Sequence, residues 1–375
     1  MSDGKGANAS VRAVEPADRQ SDSSTSQAGH PSERQESWSA TWGRRAKSIP
    51  LMFLAAGLAL ALLPLTALLA LLYAPFETRR LATLRCVGFF TNYLVGEALF
   101  LTVAGLQWLF AFGDRARLVR WTHSLSNAWG AVLHGSGALF FGFTFDVSGT
   151  EVLEAGGPIL VFFRHASVGD TPLAPVYIGK RAGLRLRYIA KRELRADPIF
   201  DVIGGRLDTC FVARASKNPA REIDAVCALL DGIGPKDAIV LYPEGTRFSP
   251  TKRERILERL GDQLDPVRLQ RARRLRHLLP PRLGGPIGLL ERNPGADVVF
   301  CTHVGYEGAA TFADLLHGRA IGRRIQVDFR RVPFAEIPTE REAIVDWLFA
   351  QWAELDGWID ERLPRTSADR KIARA

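Results

Sequence analysis

The sequence predicts an α/β fold, with a mostly parallel sheet flanked by helices and preceded by an N-terminal membrane hairpin of two helices. Two observations support this prediction. From residue 158 to residue 330, short apolar runs alternate with stretches of helical character, an order typical of a parallel sheet covered on both faces. Before residue 115, two long apolar stretches carry almost no charge, as expected of segments that enter a bilayer.

The first strand is expected where Phe143, Phe145 and Val147 alternate with other residues, which is typical of a half-buried strand. An amphipathic helix at 116–136 precedes it, and a helix at 340–362 ends the fold. The other predicted strands are 159–163, 185–189, 208–212, 238–242, 297–303 and 324–329.

The first membrane segment runs from Ile49 to Ala74 and has no charged residue. It is longer than the ~20 residues that cross a bilayer as a helix, and Pro64 is expected to kink it. The second segment, 87–112, contains Glu97, whose carboxylate is costly in a membrane. This segment therefore either spans, with Glu97 protonated or facing its partner helix, or lies partly embedded as one arm of a hairpin.

Basic residues around the two segments predict their orientation. Three lie before the first segment, three after the second and three in the connection between them. Under the positive-inside rule this excess favours both outer flanks, and everything after residue 115, on the cytoplasmic side. The nine residues are Arg44, Arg45, Lys47, Arg79, Arg80, Arg85, Arg115, Arg117 and Arg120.

The chain of 375 residues divides into four predicted parts. Residues 1–46 are polar without an apolar period and are expected to be a disordered tail. Residues 47–114 hold the membrane segments, and residues 115–364 form one large domain. Residues 365–375 are expected to be a flexible tail.

Lys and Arg number 49 against 40 Asp and Glu, a balance that suits nucleic acid, an anionic membrane or phosphate-bearing ligands. The most basic stretch, 252–276, contains no aromatic residue, which argues against nucleic acid. It is either a solvated helical face or a surface that meets anionic headgroups. No metal or disulfide is expected, because no cysteine or histidine has ligand-like spacing. The residues considered were Cys86, Cys210, Cys227, Cys301, His165, His277 and His303.

His165 and Asp170 follow the apolar run 159–163 and lie five positions apart. A histidine can act as a base near neutral pH, and a carboxylate on its other ring nitrogen orients it. On an ideal helix the two side chains would point about 140° apart, so they converge only in a turn. A structural histidine remains the alternative. A covalent role for Ser167 is also open, although the G-x-S-x-G pattern is absent.

The run 238–242 is followed by Pro243-Glu244-Gly245-Thr246-Arg247. An arginine, a hydroxyl and a glycine at a strand end suit a phosphate monoester, which a guanidinium can hold through two bonds. Arg214 follows the strand at 208–212. Since parallel strands gather ligands at their carboxyl ends, these residues and His165 are expected to form one site.

These motifs resemble those of the glycerolipid acyltransferase family, in particular the 1-acylglycerol-3-phosphate acyltransferases and the lysophosphatidate and lysocardiolipin branch. The resemblance covers roughly residues 115–362, with Arg164, Asp201 and Leu355 standing where the family commonly has other residues. The matching strings are H-x-x-x-x-D at 165–170, K-x-E-L-x-x-x-P at 191–198, F-x-x-R at 211–214, E-G-T-R at 244–247 and a Leu-Pro-Arg-x-x-Gly-like string at 279–285.

The resemblance implies roles for these residues. His165 would deprotonate the acceptor hydroxyl and Asp170 would orient it as catalytic residues. The acceptor phosphate would be bound by Arg214, Glu244, Gly245, Thr246 and Arg247.

The resemblance also implies a function in phospholipid biosynthesis. The protein would be an integral membrane acyltransferase with its catalytic domain on the cytoplasmic side and no cofactor. It would move a fatty acyl group from acyl-CoA or acyl carrier protein to a lysophospholipid, foremost 1-acylglycerol-3-phosphate. Another lysophospholipid or lipid-like acceptor, a lipid-ester hydrolase and a catalytically silent membrane scaffold are the alternatives.

Overall fold

A computed structural model describes residues 36–79, 81–213, 218–261 and 264–363. The α-helices are α1 (Trp38–Tyr73), α2 (Ala82–Phe110), α3 (Arg115–Phe141), α4 (Glu151–Glu154), α5 (Pro198–Gly204), α6 (Pro219–Cys227), α7 (Pro250–Leu260), α8 (Pro266–Arg274), α9 (Gly285–Glu291), α10 (Phe312–Leu316) and α11 (Arg341–Arg362). The strands are β1 (Thr144–Ser148), β2 (Ile159–Phe163), β3 (Arg185–Lys191), β4 (Thr209–Val212), β5 (Asp237–Leu241), β6 (Asp297–Val304) and β7 (Arg324–Val332).

The described strands form one sheet in the order β1-β7-β6-β2-β5-β3-β4. All neighbouring pairs are parallel except β6 with β7. The predicted mostly parallel sheet is therefore confirmed, and β2 matches its predicted bounds. β2 and β5 lie side by side in the middle, where both faces are covered, which is why their sequences are continuous apolar runs.

Two hydrophobic cores lie on opposite faces of this sheet. Leu160 and Phe162 of β2 face the core formed with α6, α9 and α11. Ile159, Val161 and Phe163 face the other core, beside a π-helix at Ala174–Arg181. The four cysteines are free and buried.

Helix α1 begins earlier than the sequence predicts. Residues 38–46, assigned to a disordered tail, form its first turns, and the remainder of that tail, 1–35, lies outside the described residues, as does the predicted tail 365–375. Three ionic contacts explain the early start, because Arg44 and Arg45 bind the buried carboxylate of Asp201 in α5 and Arg44 also binds Glu36. The helix continues through Pro50 and Pro64.

Helices α1 and α2 are both long and apolar enough to cross a membrane. Most large side chains of α1 are exposed, whereas α2 packs lengthwise against α3. Arg85 bonds the carbonyl of Phe140 near one end of α2, and Gln107 bonds the carbonyl of Trp121 near the other. The hairpin therefore lies along the domain instead of projecting from it.

The basic stretch 252–276 is divided between α7 and α8 and is not one continuous helix. Several of its arginines pair within the fold: Arg268 and Arg271 contact Asp346 of α11, and Arg276 contacts Asp360. Part of this stretch is therefore paired within the fold, and contact with anionic headgroups stays a prediction.

Candidate active site

His165 and Asp170 meet just past the carboxyl end of β2. Residues Val168–Asp170 form a 3₁₀ turn, which supplies the departure from helical geometry that the pair needs. Nδ1 of His165 lies 3.0 Å from Oδ1 of Asp170. The imidazole packs against the ring of Tyr242 at 4.6 Å between centroids. Because His165 lines a cavity and Nδ1 faces Asp170, Nε2 is the nitrogen available to a ligand.

Asp170 is held as a carboxylate by several donors. Its Oδ2 accepts hydrogen bonds from the backbone of Ala166 and Ser167, each at 2.8 Å. Burial by itself would raise the pKa of this carboxyl. The charge of His165 and its hydrogen bond lower this pKa, and His303 has a smaller effect in the same direction. Together these effects outweigh burial and bring the pKa of Asp170 below its ordinary value. An ionised Asp170 orients the ring of His165.

His303 is a third member of this cluster that the sequence analysis missed. It is fully buried at the end of β6. Its Nε2 lies 3.1 Å from the carbonyl oxygen of Arg164 and 3.6 Å from Oδ2 of Asp170. Burial lowers the pKa of His303 to about 4, so the ring is neutral at physiological pH. The sequence did contain one signal for His303, which is that it lies at the end of a predicted strand. Its spacing from other possible metal ligands gave no signal.

The hydroxyl of Ser167 forms hydrogen bonds with backbone groups. Its Oγ donates to the carbonyl of Ala309 at 2.5 Å and accepts the N–H of Gly169 at 3.1 Å. With Asp170 it forms a capping box on the 3₁₀ turn. No hydrogen bond joins its hydroxyl to His165 among the described residues, so the geometry does not support a covalent serine mechanism.

Glu244 was expected to contact the acceptor phosphate, and the structure corrects this. Its side chain is buried and is not part of the cavity lining. Its two oxygens accept the backbone N–H groups of His165, at 2.8 Å, and Leu279, at 2.9 Å. Burial raises its pKa to about 8 against the opposing effect of these bonds. Glu244 therefore ties three loops together at the rim of the sheet.

Only some of the other residues of the Glu-Gly-Thr-Arg loop line the cavity. Gly245 and Arg247 line it, and Nη1 of Arg247 donates to the carbonyl of Ala310 at 3.1 Å. Thr246 is half-buried outside the lining, and Arg214 lies outside the described residues.

Arg282 is a further cation at this cavity. Gly245 has φ +65°, and a Cβ there would overlap the Arg282 side chain. The backbone N–H of Arg282 bonds the carbonyl of Pro243 at 2.9 Å. The Leu-Pro-Arg-like string thus packs directly on the Glu-Gly-Thr-Arg loop. Its arginine, Arg282, is a candidate site residue that was not among those predicted from the sequence.

Arg164 points away from the cavity. Its side chain is buried, and its guanidinium contacts Glu307 at 2.7 Å as well as the carbonyl of His303. The cation in this unusual position is therefore paired within the fold, beneath the loop that carries His165.

The cavity has a volume of about 940 Å³ and extends from His165 between the sheet and the N-terminal helices. Its walls are mainly apolar, and its cations lie near the Glu-Gly-Thr-Arg loop. The side chains that define the apolar part include Phe89, Phe90, Trp129, Phe141, Phe143, Ile199, Phe200 and Phe211.

Residues 144–277 match the family described as acyltransferase. The chain therefore contains an acyltransferase domain over these residues. The resemblance of the motifs to the glycerolipid acyltransferases agrees with this match, and together they support an acyltransferase enzyme.

Two other proteins are similar to this chain. A Schizosaccharomyces pombe protein, named as an uncharacterized acyltransferase, is 25% identical over 139 residues, which cover 34% of this chain and 37% of that protein. The chain therefore spans little more than a third of that relative. The crystal structure of the 1-acyl-sn-glycerophosphate acyltransferase PlsC from Thermotoga maritima covers 75% of this chain and 98% of its own, with 13% identity and a TM-score of 0.47.

Proposed function

We propose that this acyltransferase moves a fatty acyl group from the thioester of acyl-CoA or acyl carrier protein to the free hydroxyl of a lysophospholipid. The leading acceptor is 1-acylglycerol-3-phosphate, and the product is then phosphatidate. The observation that carries the proposal is the His165–Asp170 pair at the wall of an apolar cavity with Arg247 and Arg282 near its loop end.

In the proposed reaction, Nε2 of His165 takes the proton from the acceptor hydroxyl as its oxygen attacks the thioester carbonyl. Asp170, bonded to Nδ1, holds the ring in the tautomer that leaves Nε2 free to accept that proton and stabilises the imidazolium. The tetrahedral intermediate then expels the thiolate, which takes the proton back from His165. A new ester and a free thiol result, so the proton and the electrons balance.

The remainder of the site fits a lipid acceptor. Arg247 and Arg282 offer guanidinium groups that suit a phosphate monoester, with Gly245 allowing the backbone to approach the ligand. The aromatic walls suit an acyl chain, because burial of each CH₂ group contributes about 0.8 kcal/mol.

We further propose that the hairpin is the membrane-associated part. Both ends of α2 contact the catalytic domain, near Ala82 and, through Arg206, at the carbonyl of Ala104. This arrangement favours partial embedding of α2 over a full crossing.

The test is an assay of membranes with labelled acyl-CoA, or acyl carrier protein, and a panel of lysolipids that differ in headgroup. We expect labelled phosphatidate from 1-acylglycerol-3-phosphate, and loss of transfer by about 10²–10⁴-fold in His165→Ala, as when a general base is removed. Retention of near-wild-type turnover in His165→Ala would exclude the mechanism. Label released as free fatty acid without any lysolipid would indicate a hydrolase instead.

A further inference from the structure

A second cleft, of about 540 Å³, lies where the turn of the hairpin meets the catalytic domain. It shares no lining residue with the active-site cavity. One wall is the turn itself, and the other is the segment between α10 and β7. The lining residues are Thr78, Arg79, His317, Arg319, Ile321, Gly322 and Arg323.

The lining is basic. It contains three arginines and a histidine, and no acidic residue is among its lining residues. Arg319 is paired with Asp314 at 2.8 Å. Nε of Arg323 donates to the carbonyl of Arg319, but no ion pair joins Arg79 or Arg323 to a carboxylate within the described ranges. Two guanidinium groups thus face a cleft without a counter-charge from the described part of the fold.

Two glycines allow these arginines to approach the backbone. Gly318 has φ +67°, and a Cβ there would lie 2.6 Å from Cβ of Arg79. A Cβ on Gly308 would lie 3.0 Å from Nε of Arg323. The absence of a Cβ at these two glycines therefore leaves the space that the side chains of Arg79 and Arg323 occupy beside the backbone.

The surroundings of the cleft indicate where its ligand comes from. Arg79 follows the end of α1, whose last residues are apolar and exposed, and Phe76 is 80% exposed. If this apolar surface enters a bilayer, the cationic cleft beside it lies at the level of the lipid phosphates.

We propose that this cleft binds the phosphate group of an anionic ligand at a site separate from the acceptor site. Arg79 and Arg323 hold the phosphate oxygens, with Arg319 and His317 at the rim. Its place beside Phe76 favours the headgroup of a membrane phospholipid over a soluble phosphate. A lipid held there fixes the turn of the hairpin at the membrane interface. The site does not depend on the acceptor proposed above, and its test uses binding and not turnover.

The experiment compares Arg79→Gln, Arg323→Gln and the double variant with Arg181→Gln, in purified full-length protein. Arg181 is an exposed arginine at the end of the π-helix, just before β3, and β3 is separated from β7 by three strands, so this control makes the same charge change elsewhere. One arm measures binding to phosphatidylcholine vesicles with and without phosphatidylglycerol. The other follows the unfolding temperature in detergent with added inorganic phosphate, against chloride at equal ionic strength.

We expect each single variant to bind anionic vesicles about fivefold more weakly than the control, and the double variant about 25-fold, from about 1 kcal/mol per basic residue. Unchanged vesicle binding together with loss of phosphate-dependent stabilisation would assign the site to a soluble phosphate. If both readouts match those of Arg181→Gln, the proposal is wrong.

A further variant, His317→Glu, leaves both arginines in place and adds a carboxylate at an exposed lining position. It provides the same comparison if a glutamine variant does not fold. We expect it to weaken anionic vesicle binding at least as much as one glutamine change, and wild-type binding by this variant would count against the site.

Discussion

At the scale of single residues, the two charged positions that depart from the family pattern carry partners of their own. Arg164 is paired with Glu307, and Asp201 is paired with Arg44 and Arg45. Both charged departures therefore come with a compensating charge elsewhere in the chain. Neither side chain is placed in the cavity, so the proposed chemistry at His165 does not require either of them.

His303 leads to a prediction about acid stability. Its pKa is lowered from an ordinary 6.5 to about 4 because burial disfavours the charged ring. Above pH 6.5 the ring is neutral in both the folded and the unfolded state. As the pH falls from 6.5 towards 4, only the unfolded state takes up the proton, so the free energy of unfolding decreases, by at most about 3 kcal/mol.

We expect His303→Gln, whose amide can still donate to the carbonyl of Arg164, to lose less stability over this pH range than the wild type. Unfolding midpoints measured from pH 7 to pH 4 test the difference. His317→Gln, which removes an exposed histidine, is the control. Parallel pH profiles for wild type and His303→Gln would show that His303 does not titrate in this way.

At the scale of elements, α3 supports from outside the segment that follows the loop with His165 and Asp170. It packs on the π-helix Ala174–Arg181, which follows the His165–Asp170 turn. Close approach is possible because small residues meet at the contact: Gly130 of α3 faces Pro175, and Gly179 of the π-helix faces Asn127 of α3. A side chain at either glycine would overlap its neighbour.

A pair of glycines in α3 tests this contact. In Gly130→Ala the added methyl group would overlap Pro175, and we expect a loss of about 1–3 kcal/mol from overpacking. Gly135 is exposed, with no atom near the position of a Cβ, so Gly135→Ala should stabilise the helix by up to about 1 kcal/mol. Thermal unfolding in detergent measures both. Equal shifts in the two variants would show that the α3 contact is loose.

At the scale of the whole molecule, the hairpin and the catalytic domain form one packed unit. The cavity wall includes Phe89 and Phe90 of α2 together with strand-end residues of the domain. Asp201 is the charge that binds α1 to this unit, because it is fully buried and contacts Arg44, Arg45 and Arg195. The cavity and the helices proposed to meet the membrane are therefore parts of the same assembly.

We expect Asp201→Asn to loosen the first turns of α1. Removing one charge from a buried ion pair costs about 3–5 kcal/mol, and the lower end applies because the arginines are partly exposed. Hydrogen exchange of the backbone amides in α1 and α5 measures this opening. Asp146→Asn, which breaks an exposed pair with Arg324, should change exchange little. Similar exchange in both variants would mean that α1 is held by apolar packing alone.

Much of the fold and part of the site follow from local patterns in the sequence. A strand buried on both faces must be apolar throughout, so β2 and β5 were recognisable as short apolar runs. The order of runs and helical stretches predicted a mostly parallel sheet. Since ligands gather at carboxyl ends of such strands, His165 and the Glu-Gly-Thr-Arg loop were expected at one rim.

Only the tertiary structure decided where individual side chains point and what they meet. Glu244 faces inward because backbone N–H groups bind its oxygens there, and Arg164 faces inward because it pairs with a carboxylate. A local sequence pattern does not reveal such partners. Asp201 meets Arg45 across 156 positions of sequence, and His303 reaches Asp170 only because β6 lies beside β2. Sequence by itself determined the elements and the chemical groups at the rim, since these depend on neighbouring residues. The division between ligand-facing and structural groups depends on long-range packing, which the folded chain alone establishes.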